Sequence, residues 1–346
     1  MKRLLLLTLI VLSIAGFSTA AQDEPLTVIA TTTILADVAQ NVGGERVVVS
    51  ALVPADADAH AFEPAPQDVQ RVAEADIVLA VGAGYEAFLG GLMENAASVP
   101  LVIASNGISM YPFSGEHGHE EEPADAEHEA AEPLGILGEE GVCEDDHAEE
   151  HSDDPAATPE ADHAEDEHEH GACDPHVWTD PANIAIWTDS IAAAFAERDA
   201  ANADFYRANA EAYKAQIETV RAEMEEILSA VPEERRVLIT NHEFMSYFAR
   251  AFGFEVVGVV IPGGTTAAAL DPQSLAELVE VVREKGVPAI FAEASANPDL
   301  INTVAQEAGV QVVTALSESL TAADGVAPTV LDYLRYNAQT VAAALG

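Results

Sequence analysis

Residues 237–258, VLITNHEFMSYFARAFGFEVVG, run from a β-branched strand through a histidine and a helix into a second strand. Val237 to Thr240 is short, apolar and branched, as a buried strand requires. Phe244 to Phe252 reads as a helix, and Val256 to Ile261 as the next strand. A strand that feeds a helix and then another strand is the repeating unit of a parallel sheet covered on both faces. His242 falls where the first strand gives way to the helix, which is where α/β folds place ligand groups.

The same alternation extends outward in both directions. Toward the C-terminus, Pro272 to Lys285 reads as a helix capped by Asp271. It is followed by a strand at Ala289 to Ala292, a helix at Pro298 to Ala308, a strand at Val310 to Ala315 and a last helix at Pro328 to Leu345. Toward the N-terminus, strands are expected at Leu26 to Thr31, Arg46 to Val53, Asp76 to Val81 and Leu101 to Ala104. Helices are expected at Ile34 to Val42 (ended by Gly43 and Gly44), Gln67 to Ala75 and Tyr85 to Glu94. Between the halves lie a helix at Asn183 to Arg198 and a long charged helix from Asn202 to about Ala230, closed by Pro232. At about 1.5 Å per residue the second spans roughly 45 Å. The predicted fold is α/β with two lobes, each a parallel sheet flanked by helices, joined by a long rigid backbone helix. The N-terminal lobe is expected over residues 21–200, the linking helix over 201–231 and the C-terminal lobe over 232–346. The elements of the halves look alike, but no sequence repeat is visible. A chain of 346 residues suits two cores better than one.

The formal net charge is −46, from 60 acidic and 14 basic residues, and no Lys or Arg occurs between Arg71 and Arg198. Such a surface repels nucleic acid and anionic lipid and gathers cations. Lys2 and Arg3, the apolar or small run Leu4 to Phe17 and the small residues Ser18 to Ala20 read as a signal peptide over residues 1–20. An uncleaved anchor is the alternative, although the run is shorter than the roughly 20 residues a spanning helix needs. No Cys follows the expected cut, so a lipid anchor there is not indicated. The mature chain is expected outside the cytoplasmic membrane, periplasmic or at the cell surface. Residues 116–170 are built from Glu, Asp, His, Ala and Pro and are expected to form a disordered acidic insert. In an oxidising compartment the even pair Cys143 and Cys173 points to a disulfide. The spacing Cys173-x-x-His176 offers a competing reading, with Cys173 as a zinc ligand.

Eight of the 11 histidines lie in the insert, and the rest of the chain keeps His60, His176 and His242. His60 sits in Asp58-Ala59-His60-Ala61-Phe62-Glu63-Pro64, where a plain surface histidine is the alternative reading. His176 sits in Asp174-Pro175-His176-Val177-Trp178-Thr179-Asp180-Pro181, where two prolines stiffen the backbone and Trp178 can pack beside the site. His242 could equally cap a helix.

Several segments carry a resemblance: 47–69 (VVVSALVPADADAHAFEPAPQDV), 76–82, 174–181, 237–258, 289–293 and 310–320. In order and separation they resemble the zinc and manganese solute-binding proteins of ABC importers. The resemblance implies that His60, His176 and His242 occupy the family's three histidine ligand positions. It puts Glu318, in Ser317-Glu318-Ser319-Leu320, where the family has an Asp. Ala59 stands where the family often has Pro. Glu293 matches a family Glu beside the cleft, with a role behind the ligands. Three imidazoles and one carboxylate suit Zn²⁺ as the transported ligand. The implied partners are an ABC permease and its ATPase, with the chain itself a monomer and not an enzyme. Two other readings stay open: a metal-buffering or adhesion protein of this fold, and a zinc hydrolase with Glu243 or Glu293 as base.

Overall fold

The computed structural model describes residues 24–55, 57–111, 173–261, 272–293 and 298–346. The expected signal peptide, the acidic insert, the Asp271 cap and Cys143, one half of the expected Cys143–Cys173 pairing, lie outside the described residues.

In the first half the strands are β1 (Leu26–Ala30), β2 (Val47–Ala51), β3 (Ile77–Ala80) and β4 (Leu101–Ile103). They are all parallel and lie in the order β2-β1-β3-β4. The helices are α1 (Thr33–Gly43), α2 (Pro66–Ala73) and α3 (Leu89–Met93). Then come α4 (Pro181–Arg198) and α5 (Ala203–Leu228). The second half has β5 (Val237–Thr240), α6 (Ser246–Phe252), β6 (Glu255–Val259), α7 (Pro272–Lys285), β7 (Ala289–Ala292), α8 (Pro298–Ala308), β8 (Gln311–Thr314) and α9 (Val330–Leu345). Its sheet is again parallel, in the order β6-β5-β7-β8, so the two halves share one topology. The long helix α5 has 26 residues, or roughly 39 Å, and packs against α1, α4 and α9.

The pattern follows from burial. Every residue of β3 and of β7 is buried, as central strands of a sheet covered on both faces must be. The principal core runs from Val28 and Leu79 through Trp187 and Tyr213 to Phe291 and Tyr333, and so joins both halves. Thr32 caps α1 by accepting from Leu35 N, and Gly44 ends it at φ 54°.

Helices α3, α6 and α9 start two or more residues later than the sequence pattern suggests. The apolar spacing of Tyr85, Leu89 and Leu92 predicts a helix from Tyr85, yet α3 begins at Leu89. The Glu86 carboxylate folds back to accept from Val81 N at 2.6 Å, Gly82 N at 2.9 Å and Thr31 Oγ1 at 2.6 Å. A side chain that satisfies the backbone behind it competes with helix propagation. Likewise α6 begins at Ser246 and not at Phe244, so His242 lies in a loop and not on a helix end.

Candidate metal centre

The topology collects the site. In each sheet the strand order reverses between the two central strands, β1 and β3 or β5 and β7, and ligands of open α/β sheets gather at the carboxyl ends beside that point. His60 follows β2, His242 follows β5 directly, Glu293 follows β7 and Glu318 follows β8, while His176 precedes α4. One donor atom from each of His60, His176, His242 and Glu318 falls within 4.8 Å of all the others. His176 and His242 are fully buried, Glu318 is buried, and only the His60 side chain keeps some exposure, at 12%.

Each ligand candidate is aimed by its surroundings. The Asp58 carboxylate accepts from His60 N at 2.9 Å and closes the loop that presents that imidazole. Asp174 Oδ1 accepts from His176 N at 2.9 Å and lies 2.7 Å from His176 Nδ1. Asp174 is itself held by its N–H to Tyr111 O at 2.8 Å and by the Tyr247 hydroxyl donating to its carbonyl at 2.8 Å. His242 Nδ1 lies 3.1 Å from Glu293 Oε1, and Asn241 Nδ2 donates to the same oxygen at 3.1 Å. A carboxylate behind the far ring nitrogen fixes the tautomer and raises the basicity of the near one. Glu318 sits in a loop whose Ser317 carbonyl accepts from Trp178 Nε1 at 2.9 Å and from the Tyr333 hydroxyl at 3.0 Å. Glu318 Oε2 accepts from Ala59 N at 3.0 Å, which ties this loop to the His60 loop.

His176 Nδ1 faces Asp174, His242 Nδ1 lies 3.1 Å from both Glu293 Oε1 and Asn241 Nδ2, and the Nε2 atoms of the two rings stand 3.2 Å apart, an arrangement a shared cation stabilises. His242 Nε2 lies 3.8 Å from Glu318 Oε1, and His60 Nε2 lies 2.7 Å from that oxygen. In a tetrahedral site with bonds of about 2.0–2.2 Å, neighbouring ligand atoms stand roughly 3.3–3.6 Å apart. The donor set is therefore near that geometry, with the His60–Glu318 edge drawn in.

Protonation agrees. Burial, reinforced by His242 and His60, pushes His176 well below the ordinary histidine range, so its imidazole is neutral and able to ligate. Burial works to lower His60 as well, but the Glu318 carboxylate outweighs it and raises His60. Burial pushes Asp174 up to about 7, against the hydrogen bonds from His176 N and Ser246. Burial would raise Glu293, yet its contact with His242 prevails and holds it below the usual range.

All four sequence-derived candidates thus meet, Glu293 stands behind His242, and Trp178 packs beside His176 with ring centroids 5.3 Å apart. Sequence reasoning missed the role of Asp174. Its signal was an acidic residue two positions before a histidine and followed by Pro175, the pattern of a turn in which a carboxylate caps the histidine's own N–H. It also missed Tyr85, whose ring stands edge-on to His60 at 5.1 Å.

Comparison with known proteins places these observations. A family model described as zinc-uptake complex component A, periplasmic, matches residues 28–344. The manganese-binding lipoprotein MntA of Halalkalibacterium halodurans is 26% identical over 328 residues, covering 94% of this chain and 91% of that protein. The iron-binding protein YfeA of Yersinia pestis is 25% identical over 320 residues, covering 92% and 86%. The periplasmic zinc-binding protein TroA of Treponema pallidum shares the fold, with a TM-score of 0.72 at 21% identity, covering 93% and 99%. With nearly its whole length matched, the chain belongs to this zinc-uptake component A family, the metal-binding substrate-binding proteins of ABC importers.

Proposed function

We propose that the chain captures Zn²⁺ outside the cytoplasmic membrane through His60, His176, His242 and Glu318, and delivers it to an ABC permease and its ATPase. Members of the family are solute-binding proteins and not enzymes, which removes the hydrolase reading. Relatives are named for manganese and iron as well as zinc, so the choice of metal rests on the donor set. The observation that carries it is the pair of Nε2 atoms 3.2 Å apart within a group of three imidazoles and one carboxylate whose ligand atoms all lie within 4.8 Å of one another. Such a set favours zinc over manganese in geometry and in intrinsic affinity, because manganese prefers more oxygen ligands in a larger shell. Two ligands come from residues before α5 and two from residues after it, which accords with lobes at 21–200 and 232–346 linked by 201–231. Four protein ligands complete a tetrahedral shell and leave no position for a reactive water, as suits cargo.

The test is competitive titration of the metal-free chain with Zn²⁺ and Mn²⁺. One tight equivalent of zinc that excess manganese fails to displace is expected. Preferential retention of manganese, with extra oxygen ligands in a crystal structure, would overturn the assignment of metal while leaving the site in place.

A further inference from the structure

We propose that Tyr85 is a positioning residue for the metal. Its hydroxyl donates a hydrogen bond to Glu318 Oε1 when that oxygen ligates, holds the carboxylate to one-oxygen coordination and so biases the site toward four-coordinate zinc. The inference rests on the reading of the site given above and adds a determinant of selectivity to it.

The chain goes to some length to put this side chain here. After β3, Gly82, Ala83 and Gly84 all have positive φ, at 91°, 55° and 74°. Ala83 accepts a left-handed conformation that a side chain disfavours. A Cβ on Gly82 would come within 2.4 Å of Ile103 Cγ2, so no larger residue fits that turn. The Glu86 hydrogen bonds to Val81 N, Gly82 N and Thr31 then lock the turn. The outcome is a tyrosine 3% exposed, with its ring against His60 and Trp178 at 5.1 Å each and His176 at 6.1 Å.

Three buried polar atoms on these neighbouring side chains lack an aligned hydrogen-bond partner: His60 Nε2, Glu318 Oε1 and the Tyr85 hydroxyl. The first two are donors of the proposed metal shell. The third has no role in packing, which phenylalanine would serve without burying an unsatisfied group. The Tyr85 ring stands against His60, whose Nε2 lies 2.7 Å from Glu318 Oε1. A phenolic hydroxyl can donate as well as accept. Glu318 Oε2 already takes the Ala59 N–H at 3.0 Å, which opposes two-oxygen binding. A donor on the remaining lone pair of Oε1 completes that restraint. One-oxygen binding suits a tetrahedral shell, whereas manganese gains most from an additional oxygen.

The experiment compares the wild-type chain with Tyr85→Phe, measuring Zn²⁺ and Mn²⁺ affinities, the melting temperature without metal and the absorption spectrum with Co²⁺. Zinc affinity is expected to fall about tenfold or more. Manganese affinity falls less, the Co²⁺ bands shift, and the metal-free melting temperature holds or rises. Equal losses for both metals, unchanged affinities, or a lower metal-free melting temperature with an unchanged affinity ratio would each overturn the proposal. A wild-type chain that binds no zinc would instead overturn the reading of the site, and the variant would not be needed to see it.

Discussion

Asp174→Asn isolates the charge behind His176. In the wild type one oxygen, Oδ1, accepts from His176 N at 2.9 Å and faces Nδ1 at 2.7 Å. Asparagine keeps an acceptor there and removes the charge. The backbone hydrogen bond is present with or without metal, so its loss of strength cancels from the affinity. The Nδ1 bond does not cancel, because it strengthens as Nε2 gives electron density to the metal. A hydrogen bond to a charged group contributes about 1.5–3 kcal/mol and a neutral one about 0.5–1.5 kcal/mol. The difference, about 1–1.5 kcal/mol, corresponds to a roughly five- to tenfold weaker zinc complex. The carboxyl is raised by burial to about 7. Below that pH the metal-free wild type holds a proton that zinc must expel, and the asparagine variant has none. The gap between the two is therefore widest above pH 7 and narrows as pH falls. The same sign applies to metal-free stability: a raised carboxyl favours the folded state at low pH and loses that advantage as pH rises toward 7. At about pH 8 the variant should thus melt no lower than the wild type. Isothermal titration with zinc at several pH values, beside thermal melts without metal, reads all three. Equal zinc affinities at about pH 8 with both proteins folded would refute the argument that this charge tunes the ligand.

Three further outcomes are expected. Glu318→Gln should weaken zinc binding without abolishing it, since the amide oxygen can still ligate although its NH2 then faces the Ala59 N–H, which loses its acceptor; if titration finds neither Gln nor Ala at 318 altering affinity, the fourth ligand lies elsewhere. His60 is raised above its ordinary 6.5 by Glu318, so zinc affinity should fall as pH drops through that raised value, with proton release measurable by titration in buffers of different ionisation heat. No proton release near pH 6.5 would count against the His60 assignment. Glu86→Ala strips the acceptor from Thr31, Val81 and Gly82 at once, and at about 1–3 kcal/mol per orphaned group it should cost roughly 3 kcal/mol or more in urea unfolding. A loss under about 1 kcal/mol would show that the turn does not depend on that carboxylate.

His176 was legible from its proline-bounded loop, whereas His60 and His242 kept a plain alternative until the resemblance of their segments joined them to it. The alternation of strand and helix was legible because apolar periodicity reports burial within a few residues. The misplaced start of α3 shows the limit of that signal. Periodicity saw Tyr85, Leu89 and Leu92 on one face, but the decisive contact was a carboxylate reaching back from Glu86 to Val81 and Gly82, and onward to Thr31.

By itself the sequence determined the two-sheet α/β fold and, through its resemblance, the choice of the three histidines and of the carboxylate at Glu318. Only the tertiary structure decided how these become a centre. Ala59 and Glu318 are 259 positions apart, and no local pattern could predict that the N–H of one would hold the carboxylate of the other 2.7 Å from His60. The supports Asp174 and Glu293 and the unpartnered Tyr85 hydroxyl belong to the same class. Their meaning lies in distances between separate strand ends, which sheet packing sets and which leave no periodic trace in the chain.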